Sequence, residues 1–234
     1  VTDADVDYAL EQLNKNINRQ ADNMLSTPDV FAAVSGSANV EFRLAKIDPN
    51  GASTNGIVRI HSELTDVPEP RDIVKSLSYW NSYQYFNIWV VKDLPDDPGS
   101  MLLGYAQFPW SGSMSTDGVV ILSSKFKSGG TLTHEVGHWL GLRHVWGDAL
   151  CGDDGVRDTP TAKEANDNSL VLPGSFPHNL NVCIADSINP AGEMFVNYMD
   201  YSSDDVQSMF TDGQMEIVNQ TLEGDEENYP FRRY

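Results

Sequence analysis

The sequence predicts an α+β fold in one domain with two unlike halves. Three observations predict it. Apolar residues recur at helical spacing near both ends of the 234-residue chain, and the runs between them alternate or are continuously apolar, as strands are. A segment holding three histidines at helical spacing follows directly on the last of these runs. Beyond it the periodicity stops, and Gly147 to Gly192 is rich in Gly, Pro, Asp and Asn. The division falls after the histidine segment. An upper part, 1–144, carries the sheet, and a lower irregular part, 145–234, ends in a helix.

The first element is a helix over 3–24, because Val6, Leu10, Leu13 and Ile17 recur at helical spacing and Thr2 or Asp3 can cap its start. NVEFRLAKI, 39–47, alternates as a half-buried strand does, and GIVRIHSEL, from 56, is a second, weaker strand. DIVKSLSYWN, near 72–81, reads as a short helix. FNIWVVKDL, from 86, is apolar throughout and is expected to be a buried central strand. LGYAQFPW, 103–110, and GVVILSSKF, 118–126, are two more strands, the first ended by Pro109. TDGQMEIVNQTLEG, 211–224, is the last helix, capped by Thr211, with Met215, Val218 and Leu222 facing inward.

Composition narrows the function classes. The chain carries 34 acidic and 15 basic residues, a net charge of −19, so it would repel the phosphates of a nucleic acid. No run of eighteen apolar residues exists to span a membrane. The first residues, VTDADVDYALEQ, lack the basic-then-apolar pattern of a signal peptide. Cys151 and Cys183 could form a disulfide, stay as free thiols or bind a soft metal. No CxxC spacing points to a cysteine zinc site, and the reading leans to one bridge and an exported protein.

The chemistry is concentrated in TLTHEVGHWLGLRHVW, 131–146, which holds three of the five histidines. His134 and His138, four apart on a helix, point the same way and can grip one metal ion. Glu135 projects toward the same side and can reach a metal-bound water without being a ligand. Gly141 lets the helix stop and the chain turn, bringing His144 back as a third ligand. Three protein ligands and one open position are the arrangement of a catalytic zinc. Chance would produce the pattern H-E-x-x-H-x-x-G-x-x-H in a chain this long on the order of once in 100,000 sequences, so coincidence is set aside. His61 and His178 are lone and read as ordinary surface residues.

The full motif resembles that of the metzincin zinc endopeptidases. NYMDY, 197–201, offers the methionine and tyrosine that such a fold places at the metal. With CGDDGVRDTP, the late cysteine, DGVVI and LGYAQFP, the chain is similar to the pappalysin family, its ulilysin-like members above all. One departure is that the sequence begins almost directly with a helix, where metzincin domains usually open with a strand.

The resemblance implies a twisted mixed sheet over the zinc helix and a secreted, monomeric zinc endopeptidase acting on extended protein or peptide substrates. His134, His138 and His144 would bind zinc. Glu135 would take a proton from the zinc-bound water and pass it to the leaving amine. Met199 would floor the metal site, and Tyr201 would alternate between ligation and transition-state hydrogen bonding. The substrate would lie along LGYAQFPW as an added strand. Asp204 and Asp205, just after the methionine turn, would favour Arg or Lys after the cut. The acidic loop suggests calcium on Asp153, Asp158 and Thr159, with Asp148, Asp154 and Asp186 as weaker candidates. Two other readings stay open: a zinc-bearing binding module without turnover, and a zinc amidohydrolase acting on a non-peptide amide.

Overall fold

The structure is a computed structural model that describes residues 1–66, 70–94, 102–166, 183 and 192–224. His178 and Asp186 lie outside these residues.

Helix α1 spans Asp3–Ile17. Its start is a capping box: the Asp5 N–H donates to Thr2 Oγ1 at 3.2 Å, and the Thr2 N–H to Asp5 Oδ2 at 2.8 Å. Ala9, Leu13 and Ile17 are buried on one face. The segment expected as a strand at 39–47 joins no ladder; Ile47 alone makes an isolated bridge, and Asn39 opens the segment at φ +54°. Its backbone is taken by α1 instead. Asn14 accepts from the Phe42 N–H at 2.7 Å and donates to its carbonyl at 2.9 Å. Asn18 does the same for Val40, at 3.2 and 2.7 Å. The run from 56 is likewise unladdered. It turns back on the first through Thr54 N–H to Lys46 O at 3.0 Å and the single Ile47–Ser53 bridge.

A short helix, α2, covers Asp29–Ala32. The helix expected near 72–81 is a 3-10 helix over Arg71–Leu77. Three strands follow: β1 (Ile88–Val91), β2 (Gly104–Ala106) and β3 (Val119–Leu122). The order is β1-β3-β2, with β1 parallel and β2 antiparallel to β3. The central strand among the described residues is therefore β3, not the run from 86. Burial gives the reason: all four β3 residues are buried, while β1 alternates along an edge.

Alternation sends the two sheet faces into different cores. Val119 and Ile121, with Ile88 and Val90, join α1 and the histidine helix. Trp89, Val91, Val120 and Leu122 pack with Val74 and Leu94. Lys75 is buried against this second face. Its ammonium donates to Thr116 O at 2.7 Å, pairs with Asp72 at 2.8 Å and lies over the Tyr105 and Trp89 rings. Burial pulls its pKa down, against the pull of Asp72.

The histidine helix, α3, runs Gly130–Trp139 under the sheet. Trp139 stacks on Phe86 at 3.9 Å and donates to Asp117 at 3.3 Å. The first core continues into the lower half through Tyr198, Met199, Phe210, Met215 and Val218. The last helix, α4 (Asp212–Glu223), starts with a capping box between Thr211 and Gln214. Cys151 and Cys183 are joined, their Cα atoms 5.9 Å apart.

Candidate active site

α3 is a ten-residue helix that ends where its sequence says it must. Leu140 is the last capping position, and Gly141 follows at φ +93°, a left-handed value that favours glycine. The Leu142 N–H bonds back to Gly137 O at 2.9 Å. The reversal brings His144 to His134 and His138. One ring nitrogen from each of the three falls within 4.8 Å of the others, the one such His/Cys/Asp/Glu group among the described residues.

Each imidazole is held by its other nitrogen. His134 Nδ1 contacts the Tyr198 carbonyl at 2.7 Å, and His138 Nδ1 the Leu142 carbonyl at 2.7 Å. His144 Nδ1 contacts Asp148 Oδ1 at 2.5 Å. That leaves the three Nε2 atoms for a common centre, with those of His138 and His144 3.0 Å apart. Burial keeps the rings neutral. It takes His134 well below the ordinary imidazole value, His138 to about 4, and lowers His144 against the opposing pull of Asp148. Neutral imidazoles with Nδ1 bonded to carbonyl or carboxylate are the donor set zinc takes, so the residues fit that ion.

Glu135 is 6% exposed, and burial pushes its carboxyl up to about 8. It is backed by β2: a Cβ on Gly104 would stand 2.9 Å from Glu135 Cγ and 3.1 Å from Oε1. The floor of the site is the turn 197–200. Asn197 Oδ1 accepts from the Met199 N–H at 2.9 Å, and Asn197 is locked to Gln214 of α4. Met199 is fully buried, and its sulfur lies against Gly137, where any Cβ would collide with it. Tyr201 is half exposed, its ring 5.6 Å from that of His134 and 5.0 Å from that of His144. Burial raises its hydroxyl to about 12. Trp146 stacks flat on His144 at 4.2 Å.

The other expected residues are not gathered in the same way. Asp204 lies against Gly130 at the start of α3, where a carboxylate complements the helix N-terminus. Asp205 is exposed and accepts from the Ser203 hydroxyl. Asp158 accepts from the Gly213 N–H at 2.9 Å, at the start of α4. Asp153 is exposed and accepts from the Gly155 N–H. Thr159 donates to Asp154, the two oxygens at 2.8 and 2.9 Å. Asp148, a weaker calcium candidate by sequence, serves His144; the i, i+4 spacing of the two was the signal for it. His61 is an exposed residue away from the cluster. The Tyr198 carbonyl and Gly104 had no sequence signal.

Residues 70–223 match the peptidase family M43, described as pregnancy-associated plasma protein-A. Among sequence relatives, an extracellular metalloprotease of Colletotrichum graminicola is 38% identical over 149 residues, covering 57% of this chain and 48% of that protein. One of Pyricularia oryzae is 34% identical over 145 residues, covering 57% and 46%. The chain spans about half the length of the curated relatives it matches. Among solved structures, mature mirolysin of Tannerella forsythia in complex with a cleaved peptide superposes with a TM-score of 0.83 at 38% identity, over 98% of this chain and 87% of that one. A promirolysin mutant of the same organism gives 0.84, over 100% and 77%. With the likeness running through the sheet, the histidine helix and the methionine turn, the chain belongs to the pregnancy-associated plasma protein-A family of M43 peptidases.

Proposed function

We propose that the protein is a secreted zinc endopeptidase that hydrolyses peptide bonds of extended protein or peptide substrates and acts as a monomer. The observation that carries the reading is the convergence of three neutral, Nδ1-anchored imidazoles beside a buried glutamate. Secretion is supported by the Cys151–Cys183 bridge and by relatives named extracellular metalloproteases. No helix among the described residues is long and apolar enough to cross a membrane. We read the chain as one catalytic unit of two parts, 1–144 and 145–234; the core they share supports this.

His134, His138 and His144 would hold the zinc. When bound, zinc polarises a carbonyl and acidifies water. Glu135 accepts the proton of the attacking water and returns it to the leaving amine. Its burial beside β2 keeps bulk water from that proton. Tyr201 donates a hydrogen bond to the developing oxyanion, a role supported by its half-exposed ring beside His134 and His144. Met199 packs beneath the histidines. The substrate pairs with the outer side of β2, an edge strand among the described residues whose Gly104 abuts Glu135. Asp204, partly exposed at the head of α3, would favour Arg or Lys after the cut, and Asp205 stands beside it. Asp204→Asn should remove such a preference if this is its source.

A calcium ion in the loop after α3 is a further part of the reading. The residues read for it are Asp153, Asp158 and Thr159, with Asp154 beside them, accepting from the Thr159 hydroxyl. Asp154 is buried, and burial raises its carboxyl to about 6; a cation there would offset its charge. A rise in melting temperature with calcium that is absent in Asp154→Asn is the expected result, and no response in either would remove the ion.

The enzymatic reading is tested by cleavage of a mixed peptide library with and without a zinc chelator, read by mass spectrometry, with Glu135→Ala as control. Cleavage should depend on both zinc and Glu135. Zinc-loaded, folded protein that cuts nothing would instead be a binding module, and hydrolysis confined to non-peptide amides would make it an amidohydrolase.

A further inference from the structure

A line of rings leads away from the metal ligands along the chain that leaves β2. Phe108 lies 5.1 Å from the His138 ring, tilted against it. Trp110 stacks on Phe108 at 4.8 Å. The Arg143 guanidinium stands over Trp110 at 5.9 Å from the ring centre. Arg143 sits between the Gly141 turn and His144, and Pro109 packs against Gly141, so ledge and ligand loop are one assembly.

Two features of this ledge are unlike ordinary surface. Trp110 is 48% exposed rather than folded into the core. Arg143 is exposed, and no carboxylate among the described residues pairs with it, in a chain that carries 34 acidic residues against 15 basic. The exposed part of an aromatic ring beside a guanidinium unpaired among the described residues suits a side chain that brings a short apolar stem and a negative end.

We propose that Phe108, Trp110 and Arg143 form a substrate subsite that takes an aspartate or glutamate side chain on one side of the scissile bond. The inference rests on the endopeptidase reading above. Trp110 lies within about 10 Å of the His138 ring, roughly three residues of extended chain at ~3.4 Å each. A peptide paired with β2 runs past this ledge, because the same strand continues into it. The subsite selects by charge through Arg143 and by contact through Trp110, and it does so without touching the reacting atoms.

The test is cleavage-site profiling of a mixed peptide library by the full chain and by Arg143→Glu and Trp110→Ala variants, each checked for zinc content and melting temperature. The native protein should enrich Asp and Glu, about tenfold over Lys and Arg, at one position two to four residues from the cut. Arg143→Glu should invert that preference at the same position. Trp110→Ala should flatten it and raise KM for acidic substrates more than it lowers kcat. Cleavage that persists with one unchanged profile in all three proteins would overturn the subsite and leave the endopeptidase intact. No cleavage by the zinc-loaded native protein would overturn the endopeptidase reading, and the subsite with it.

Discussion

Gly104→Ala is the substitution that most directly probes how the glutamate is held. Gly104 has no left-handed backbone, so an alanine there is strained by contact alone. Its Cβ would stand 2.9 Å from Glu135 Cγ, 3.1 Å from Glu135 Oε1 and 3.0 Å from the Val120 carbonyl. The carbonyl belongs to the central strand and is fixed by its ladder. The side chain of Glu135 is the part free to yield, and reaching ordinary contact requires it to retreat by roughly 0.5–1 Å. A misplacement of that size at a reacting group costs on the order of 10- to 100-fold in rate. Overpacking of about 1–3 kcal/mol accompanies it, lowering the melting temperature by several degrees. The assay is kcat and KM on a peptide that the native protein cleaves, at matched zinc content. We expect kcat to fall and KM to hold, because the backbone edge of β2 is unchanged. The double variant Gly104→Ala/Glu135→Ala should be no slower than Glu135→Ala alone, since the two act through one carboxylate. A native kcat in Gly104→Ala with full zinc loading would refute the idea that this glycine sets the position of Glu135.

Three other outcomes are expected. Asp148 sits at φ +57°, which asparagine tolerates, so Asp148→Asn should keep the fold while removing the charge on His144 Nδ1; its zinc dissociation constant in a chelator competition should rise about tenfold or more, and unchanged affinity would make the contact incidental. Replacing Cys151 and Cys183 by serine opens a loop of sequence separation 32 and should lower stability by about 3–4 kcal/mol, read as a fall in the denaturant midpoint at constant m-value. Glu193 is 1% exposed, and burial lifts its carboxyl from 4.5 to about 7. The fold therefore holds this proton more tightly than the unfolded chain does; the stability this contributes is full below about pH 4.5 and is lost as pH rises through about 7. Glu193→Gln should be more stable than the native protein at pH 8, on the order of 2 kcal/mol, with little gain at pH 4, and equal stability at pH 8 would show that the native carboxyl ionises freely.

The elements that could be read from the chain are those whose determinants are local. α1, α3 and α4 have their caps and apolar faces within a dozen residues or so; α1 starts where expected but ends at Ile17 rather than at 24, Asn18 closing it and Arg19 turning left-handed at φ +57°. The strand at 39–47 could not be placed, because its fate depends on Asn14 and Asn18, more than twenty positions earlier in the chain. Those two side chains answer the backbone groups of Val40 and Phe42 that a ladder would otherwise use. The same limit applies to which strand is central. FNIWVVKDL and GVVILSSKF are both apolar enough to be buried on two faces, and only the pairing of β2 onto β3 decides between them.

The metal ligands were legible because one helix and one glycine turn bring them together within eleven residues. What holds those ligands was not read, and the i, i+4 spacing of His144 and Asp148 was the one local signal for it. The Tyr198 carbonyl on His134 comes from 64 residues away, and Gly104 meets Glu135 across the sheet. α3 itself shows why the distant partners matter. A ten-residue helix is marginal alone; Gly130 opens it without a side chain, and Gly137 in its interior weakens it by about 1 kcal/mol relative to alanine. Both glycines are occupied from the lower half: the Asp204 carboxylate sits on the first and the Met199 sulfur on the second. The histidine helix therefore depends for its shape on chain some 60 to 75 positions later, and its glycines mark where that chain must approach. Gly137→Ala makes the argument testable. An alanine is the better helix former, yet it should lower both zinc affinity and stability, because the methionine turn has to move away to admit the methyl group. A gain in stability with unchanged zinc binding would mean that the helix stands by itself and that the methionine turn is only packed beneath it.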